Sequence, residues 1–513
     1  MRGGNRIRYR RNRRKNKFIL LAILIVLMLV IAAILLKLVF FTETASSEDG
    51  KPGGKVASGE GQGDTDRPDE GNPDGNNSDG SNPDGDNLSG GSPDESASGE
   101  NNSDEDNPDE AETADTLAQE AAQKQLAELI GKADRIAKGY DYDAAIDLLA
   151  TTEDYEGNTQ ITERIKEFEA QKAALVEWED VTKISHVFFH SLVVDTGKAF
   201  DGDEDSGDYN TVMTTADEFN KIMEQMYERG YVLVRIHDMA DFVTGDDGSV
   251  KFTKGKIMLP EGKIPFILSQ DDVNYYKYME GDGFASRLVI GEDGMVTTEM
   301  DLEDGTSVQG SYDVVPLLED FIEEHPDFSY RGARGILGIT GYQGVFGYRT
   351  SRRSNAENPN IEEDTKKATE VANRLKEMGW ELASHSWGHR HMGQIPYKNF
   401  TWDTDIWETE VKPILGDTDI YIYPYGDDIG SWKPYKGEKY DYLKSKGFVY
   451  FCNVDAAGPY WVQITDEYLR QGRINLDGMR MYEAISGGKN RVEPFFDVET
   501  VFDKARPLPV PGI

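Results

Sequence analysis

The chain has 513 residues, too many for one ordinary domain, and a formal net charge of −39. That charge argues against a nucleic-acid partner, because phosphate binding needs lysine and arginine. A single cysteine, Cys452, excludes an internal disulfide and a cysteine-built zinc site.

The charge is unevenly spread. Residues 1–17, MRGGNRIRYRRNRRKNK, are basic without one acid, and residues 18–41, FILLAILIVLMLVIAAILLKLVFF, are apolar apart from Lys37. About 24 residues make roughly 36 Å of helix, enough to cross a bilayer core of about 30 Å with some tilt. The basic flank precedes the span, which predicts a cytoplasmic N-terminus with the rest of the chain outside. The run exceeds the apolar core of a signal peptide, so the expectation is an uncleaved, single-pass anchor in the cell membrane. Residues 42–115 carry an imperfect ten-residue repeat (GNPDGNNSDG, SNPDGDNLSG, GSPDESASGE). They offer almost nothing to bury and read as a disordered acidic linker. Residues 116–179 show apolar positions at helical spacing and read as a short helical stalk. It resembles one tetratricopeptide-like hairpin, too little to build a solenoid.

From 180 to 513 strands and helices alternate. KISHVFFHSLVV, YVLVRIHDM, IPFILSQDD, GILGITG, WELASHS, DIYIYPYG and FVYFCNV read as strands. ADEFNKIMEQMYERG, VPLLEDFIEEH, DTKKATEVANRLKEMG and KYDYLKSKG read as helices, two of them stopped by Gly230 and Gly379. The class is α/β, with a parallel sheet covered by helices as a barrel or an open sheet. Residues 280–313 break the rhythm, and their two EDG turns predict an inserted β-ribbon. In such folds ligands bind where strands end, and Asp271, Asp272, His385, Tyr425 and His190 all sit at predicted strand ends.

HSWGH at 385–389 places two imidazoles four residues apart, and imidazole is the commonest metal ligand. One carboxylate of Asp271–Asp272 would complete a two-histidine, one-carboxylate set with positions left open, as catalysis needs. The other carboxylate would be free to act as a base.

With these motifs in order, residues from about 183 to 480 resemble the polysaccharide deacetylases of the NodB-homology group, carbohydrate esterase family four. The resemblance implies a distorted (β/α)7 barrel holding a divalent metal, most commonly zinc. SQDD stands where the family has TFDD, which implies Asp271 as catalytic base and Asp272 as metal ligand. HSWGH matches fully and implies His385 and His389 as ligands, with Ser386 bracing the loop. IYPYG matches the third motif at Pro424 and Tyr425, whose backbone N–H would help hold an oxyanion. The arginine of that motif is replaced by Ile422, and Arg473, with Asp477 nearby in sequence, is the candidate to take over its role. No histidine follows His391 to serve as the family's C-terminal acid. The opening HVFFHSLVVD instead resembles poly-N-acetylglucosamine deacetylases with rearranged motif order, which implies His190 as general acid. His186 and His237 are read as structural. Trp387, Trp402 and Trp407 are candidates to stack on sugar rings.

The implied activity is metal-dependent N-deacetylation of a polysaccharide of the peptidoglycan or poly-N-acetylglucosamine type. Ile422 and the absent C-terminal histidine motivate an alternative, a glycan-binding surface protein without turnover. O-acetyl ester hydrolysis on the same fold is a third reading.

Overall fold

The structure, a computed structural model, describes residues 108–512 other than Asp154 and Asp246. The basic segment 1–17, the apolar run 18–41 and most of the predicted linker lie outside the described residues. Among the described residues no helix is long and apolar enough to cross a membrane.

The first helix, α1 (Pro108–Lys138), begins inside the stretch read as linker, and α2 (Tyr142–Leu149) and α3 (Thr159–Ala173) follow. They do not stand off as a stalk. Ala133, Ala137, Tyr142, Leu149, Ile161 and Phe168 share one buried cluster with Ile184, Val232, Ile267, Ile420 and Leu469. An apolar helix stripe has to be covered, and here the cover is the end of the sheet where strands begin. The Arg331 N–H donates to the Gly139 carbonyl at 2.7 Å, and Arg331 pairs with Asp141 at 2.7 Å, which ties this layer down.

Eight parallel strands form the centre: β1 (Ser185–Phe189), β2 (Tyr231–Leu233), β3 (Ile264–Gln270), β4 (Ile336–Ile339), β5 (Glu381–Ser384), β6 (Ile420–Ile422), β7 (Tyr450–Val454) and β8 (Leu469–Asn475). Seven close a ring in the order β1–β3–β4–β5–β6–β7–β8 and back to β1. The closed seven-stranded parallel barrel agrees with the expected α/β class. Its distortion is local. β2 pairs with β3 at Ile264–Phe266, and β4 takes over the same edge at Ser269 and Gln270. The strand expected over YVLVRIHDM therefore stops at Leu233. The chain turns into a short helix, Ile236–Met239, capped by the Asp238 carboxylate accepting from the Arg235 N–H at 2.8 Å.

Alternation decides what each strand buries. On β3, Phe266 and Leu268 join the apolar layer under the outer helices, while Ile267 joins the cluster at the barrel floor. The helices that bear on the site are α4 (Ser206–Val212), α5 (Ala216–Glu228), α6 (Val314–Glu324), α7 (Ile361–Met378) and α8 (Tyr397–Glu410). Thr215 and Glu218 form a capping box on α5, and α7 ends at Gly379 with φ 100°, a conformation that favours glycine. Residues 287–310 form a three-stranded antiparallel sheet (Arg287–Ile290, Val296–Asp301, Ser307–Gly310) between β3 and α6.

Candidate active site

Two adjacent acids at the end of a buried strand need two separate partners, and the fold supplies them. The Asp271 N–H still pairs with the Phe189 carbonyl of β1 at 2.9 Å. Asp272 then takes φ 58°, in the left-handed region, and turns the chain. Ser386, His389 and Tyr425 also have positive φ, at 59°, 47° and 58°. Non-glycine residues held this way cost roughly 1–3 kcal/mol each and concentrate at functional sites.

Asp271 meets Arg473 of β8 as a fork. Nη1 lies 2.6 Å from Oδ1 and Nη2 lies 2.8 Å from Oδ2, and both residues are buried. Burial pushes the Asp271 carboxyl upward, but the Arg473 guanidinium, with His385, wins and holds it below the usual range. Behind this pair lies a polar chain inside the barrel. Arg473 Nη1 donates to Ser269 Oγ at 3.0 Å, Ser269 Oγ is 2.9 Å from His186 Nε2, and His186 Nδ1 is 3.2 Å from Gln471 Oε1. Burial, aided by the Arg473 charge, pushes His186 well below its usual value, so it is neutral. A neutral ring donates to Gln471 and accepts from Ser269, which makes every link of the chain consistent.

Asp272, His385 and His389 face one another, with their ligand atoms within 4.8 Å of each other. Asp272 Oδ2 is 3.3 Å from His389 Nε2 and 3.9 Å from His385 Nε2. Ligands about 2.0–2.2 Å from a tetrahedral zinc stand some 3.4 Å apart, so the set fits such an ion with small adjustment. The tautomers also fit. His385 Nδ1 donates to the Ile422 carbonyl at 3.0 Å, which leaves the Nε2 lone pair facing the site. Burial pushes His385 down, keeping it available as a neutral ligand. Burial works against ionisation of Asp272, yet His389 and His385 hold its carboxyl well below the usual range. Its other oxygen, Oδ1, accepts from the Tyr276 hydroxyl at 2.5 Å, and Thr340 Oγ1 lies 2.7 Å from that hydroxyl.

The loop bearing both histidines is held from α8. Asp403, fully buried, accepts from the Trp387 N–H at 2.7 Å and the Gly388 N–H at 3.0 Å. The sequence reading missed Asp403, because nothing local to α8 shows that it serves the neighbouring loop.

His190 follows β1 and lines the same open cleft of about 650 Å³ as Asp271, Asp272, His385, His389 and Tyr425. Its Nδ1 lies 3.2 Å from the Val212 carbonyl at the end of α4, so Nε2 is the nitrogen left to exchange a proton. Asp477, behind it, is pushed upward by burial while the Arg480 N–H and Asn475 oppose the shift. Asp477 does not bond Arg473; it caps the helix Gly478–Ile485. Tyr425 stacks on His391 at 4.1 Å between ring centres, and its ring is largely exposed.

The tryptophans lie elsewhere. Trp407 is fully buried with its indole N–H on the Ile339 carbonyl, and Trp387 is buried against Glu410. Trp402 is exposed but covered by the Arg353 and Arg390 guanidiniums. His237 bridges Glu381 and Asp419 at the opposite end of the barrel.

Residues 353–450, from α7 to the start of β7, match the family model for polysaccharide deacetylase. That stretch holds His385, His389, Pro424 and Tyr425. No curated protein sequence matches the chain. Two solved structures overlap it. One is the Streptococcus pyogenes deacetylase PplD in complex with acetate, at 11% identity and a TM-score of 0.33, covering 63% of this chain and 99% of that one. The other is described as a polysaccharide deacetylase from Bacillus anthracis, at 10% identity and a TM-score of 0.30, covering 59% and 65%.

Proposed function

We propose that this chain, whose residues 353–450 match the family model for polysaccharide deacetylase, removes acetyl groups from N-acetylhexosamine units of a bacterial cell-wall or extracellular polysaccharide. The carrying observation is the meeting of Asp272, His385 and His389, with Asp271 beside them and locked to Arg473. Those three residues would hold a divalent cation, zinc by the donor set, which when bound would supply Lewis-acid chemistry to a carbonyl and a lowered pKa to a water.

The chain's own residues do the rest. Asp271, kept ionised by Arg473, takes a proton from the attacking water. The backbone N–H of Tyr425, in the third motif, is assigned to the oxygen that gains charge. His190 gives its Nε2 proton to the departing amine, a poor leaving group until protonated. Acetate and a free amino sugar result. Ile422 at the third motif favoured binding without turnover. Arg473 now supplies the guanidinium that Ile422 lacks, which supports the enzymatic reading.

The test is acetate release from an N-acetylglucosamine pentamer. Release that stops with a chelator and returns with zinc supports the proposal. Intact pentamer binding without release overturns it in favour of the binding protein, and faster release from an O-acetylated glycan favours the esterase. Residues 1–41 support a further expectation, a membrane anchor with the barrel outside. Protease digestion of intact cells should remove the barrel and spare the N-terminus.

A further inference from the structure

Helix α6 begins on an acid that does more than begin a helix. Asp313 caps α6, its Oδ1 accepting from the Val314 N–H at 2.8 Å. The same oxygen accepts from the Leu192 N–H at 3.0 Å. Oδ2 accepts from Gln270 Nε2 at 2.8 Å and from the Tyr275 hydroxyl at 2.7 Å. Asp313, Leu192, Gln270 and Tyr275 are all buried. Among the described residues these four donors, and no lysine or arginine, act on the carboxylate.

A cap needs much less. One neutral oxygen from serine, threonine or asparagine is enough, and a buried carboxylate without a counter-ion is costly. The second oxygen has another use, and its partners show which. Leu192 is two residues past His190, Gln270 directly precedes Asp271, and Tyr275 is three residues past Asp272. Strands β1 and β3 run side by side as far as the Asp271 N–H on the Phe189 carbonyl. Past that point the ladder ends, and Asp272 turns the chain at φ 58°. The Asp313 carboxylate joins the two loops again. It does not line the cleft, so it acts through its neighbours. We propose that Asp313 is a positioning residue that sets the spacing between the loop carrying His190 and the loop carrying Asp271 and Asp272. The inference rests on the acid and base roles given above and deepens them. Base and acid act in turn on one substrate carbon and its leaving nitrogen, and a misplacement of about 1 Å costs such a reaction about 100-fold.

The experiment uses the full chain and two variants that separate capping from positioning. Asp313→Ser keeps a capping oxygen, but one oxygen cannot serve both sides. Asp313→Asn keeps an oxygen for the Val314 and Leu192 N–H groups. Its amide can donate to the Tyr275 hydroxyl and, once the Gln270 side chain turns over, to Gln270 Oε1, which has no partner among the described residues. On the N-acetylglucosamine pentamer with zinc, Asp313→Ser should lower kcat at least about tenfold with KM unchanged, and Asp313→Asn should restore most of it. A native kcat in Asp313→Ser shows a cap and nothing more, and overturns the inference. A fall carried by KM, or an equal fall in both variants, overturns it too. Hydrogen exchange reads the same tie without turnover. The Asp271 N–H, which Asp313 does not touch, should exchange about tenfold faster in Asp313→Ser, the scale of one lost hydrogen bond, and near the native rate in Asp313→Asn. The Tyr423 N–H, bonded to the Cys452 carbonyl, reports opening of the whole barrel and should not change. An unchanged Asp271 rate, or an equal rise at Tyr423, overturns the inference. If unaltered protein releases no acetate, the deacetylase reading fails, and the exchange rates still decide whether Asp313 holds the two loops.

Discussion

As the proposed base, Asp271 is a buried carboxylate that has to stay ionised, and its pKa is set by two opposed effects. Burial favours the neutral acid, and the Arg473 fork favours the anion. A base works only above its pKa, so holding that pKa down widens the active range toward acid. Arg473→Gln removes the guanidinium and leaves burial unopposed, so the pKa must rise. The acidic limb of kcat/KM against pH should then move to higher pH, with activity at neutral pH down at least about tenfold, the scale of a lost charge-assisted contact. Arg473→Lys keeps the charge but not the fork and should fall between the two. A pH–rate profile decides this, and an acidic limb that stays in place would refute the role given to Arg473. The same substitution breaks a buried pair and should cost about 3–5 kcal/mol of stability, so the profile is to be measured well below the melting temperature.

Elements differ in how openly the sequence announces them. β3 was legible because IPFILSQ is apolar on both faces, as a covered parallel strand must be. HSWGH was legible because a candidate metal set needs two imidazoles at a fixed spacing, and the fold brings both to Asp272. β8 was not legible. LRQGRIN reads as a polar loop, yet all seven residues are buried. Its polar groups find partners far away in sequence: Arg473 on Asp271, Gln471 on His186, Arg470 on Asp428. Nothing local reports such pairings, so Arg473 could be proposed as a residue while its strand went unseen. Asp403 was hidden in the same way, since it serves α8's neighbour and not α8. Its two acceptor bonds to Trp387 and Gly388 hold the turn between His385 and His389. Asp403→Ala should therefore leave the fold standing and weaken zinc binding about 10–100-fold, the range for lost support behind metal ligands. Calorimetric zinc titration checks this, and unchanged affinity would show that the loop holds its shape alone.

At the scale of the whole molecule, two ionic clusters, one buried and one half-buried, tie distant parts of the chain together. Near the mouth of the barrel, Arg506 and Glu218 are fully buried and paired at 2.6 Å. Arg506 also donates to the Asn210 and Met213 carbonyls, fixing the turn whose Val212 carbonyl holds His190. Arg506→Met strands Glu218 and should cost about 3–5 kcal/mol in urea unfolding; a loss under about 1 kcal/mol would mean the turn is held by other contacts. At the other end, His237 lies between Glu381 and Asp419 and joins the entries of β5 and β6 to the turn after β2. Burial alone would lower its pKa, but the hydrogen bonds that the ring donates to Asp419 and Glu381, with their charges, outweigh burial and raise it from the ordinary 6.5 to about 10. The sign of the linkage follows. Below about pH 6.5 the ring is protonated in both folded and unfolded chains, and the clamp contributes in full. Between there and about pH 10 the unfolded chain has lost the proton while the folded one keeps it, so the contribution declines steadily. Above about pH 10 it is gone. The difference in Tm between unaltered protein and His237→Gln should accordingly be widest near pH 6 and close by about pH 10.5. A difference that stays constant across that range would mean that His237 acts by packing against Tyr450, 4.3 Å away between ring centres, and not by its charge.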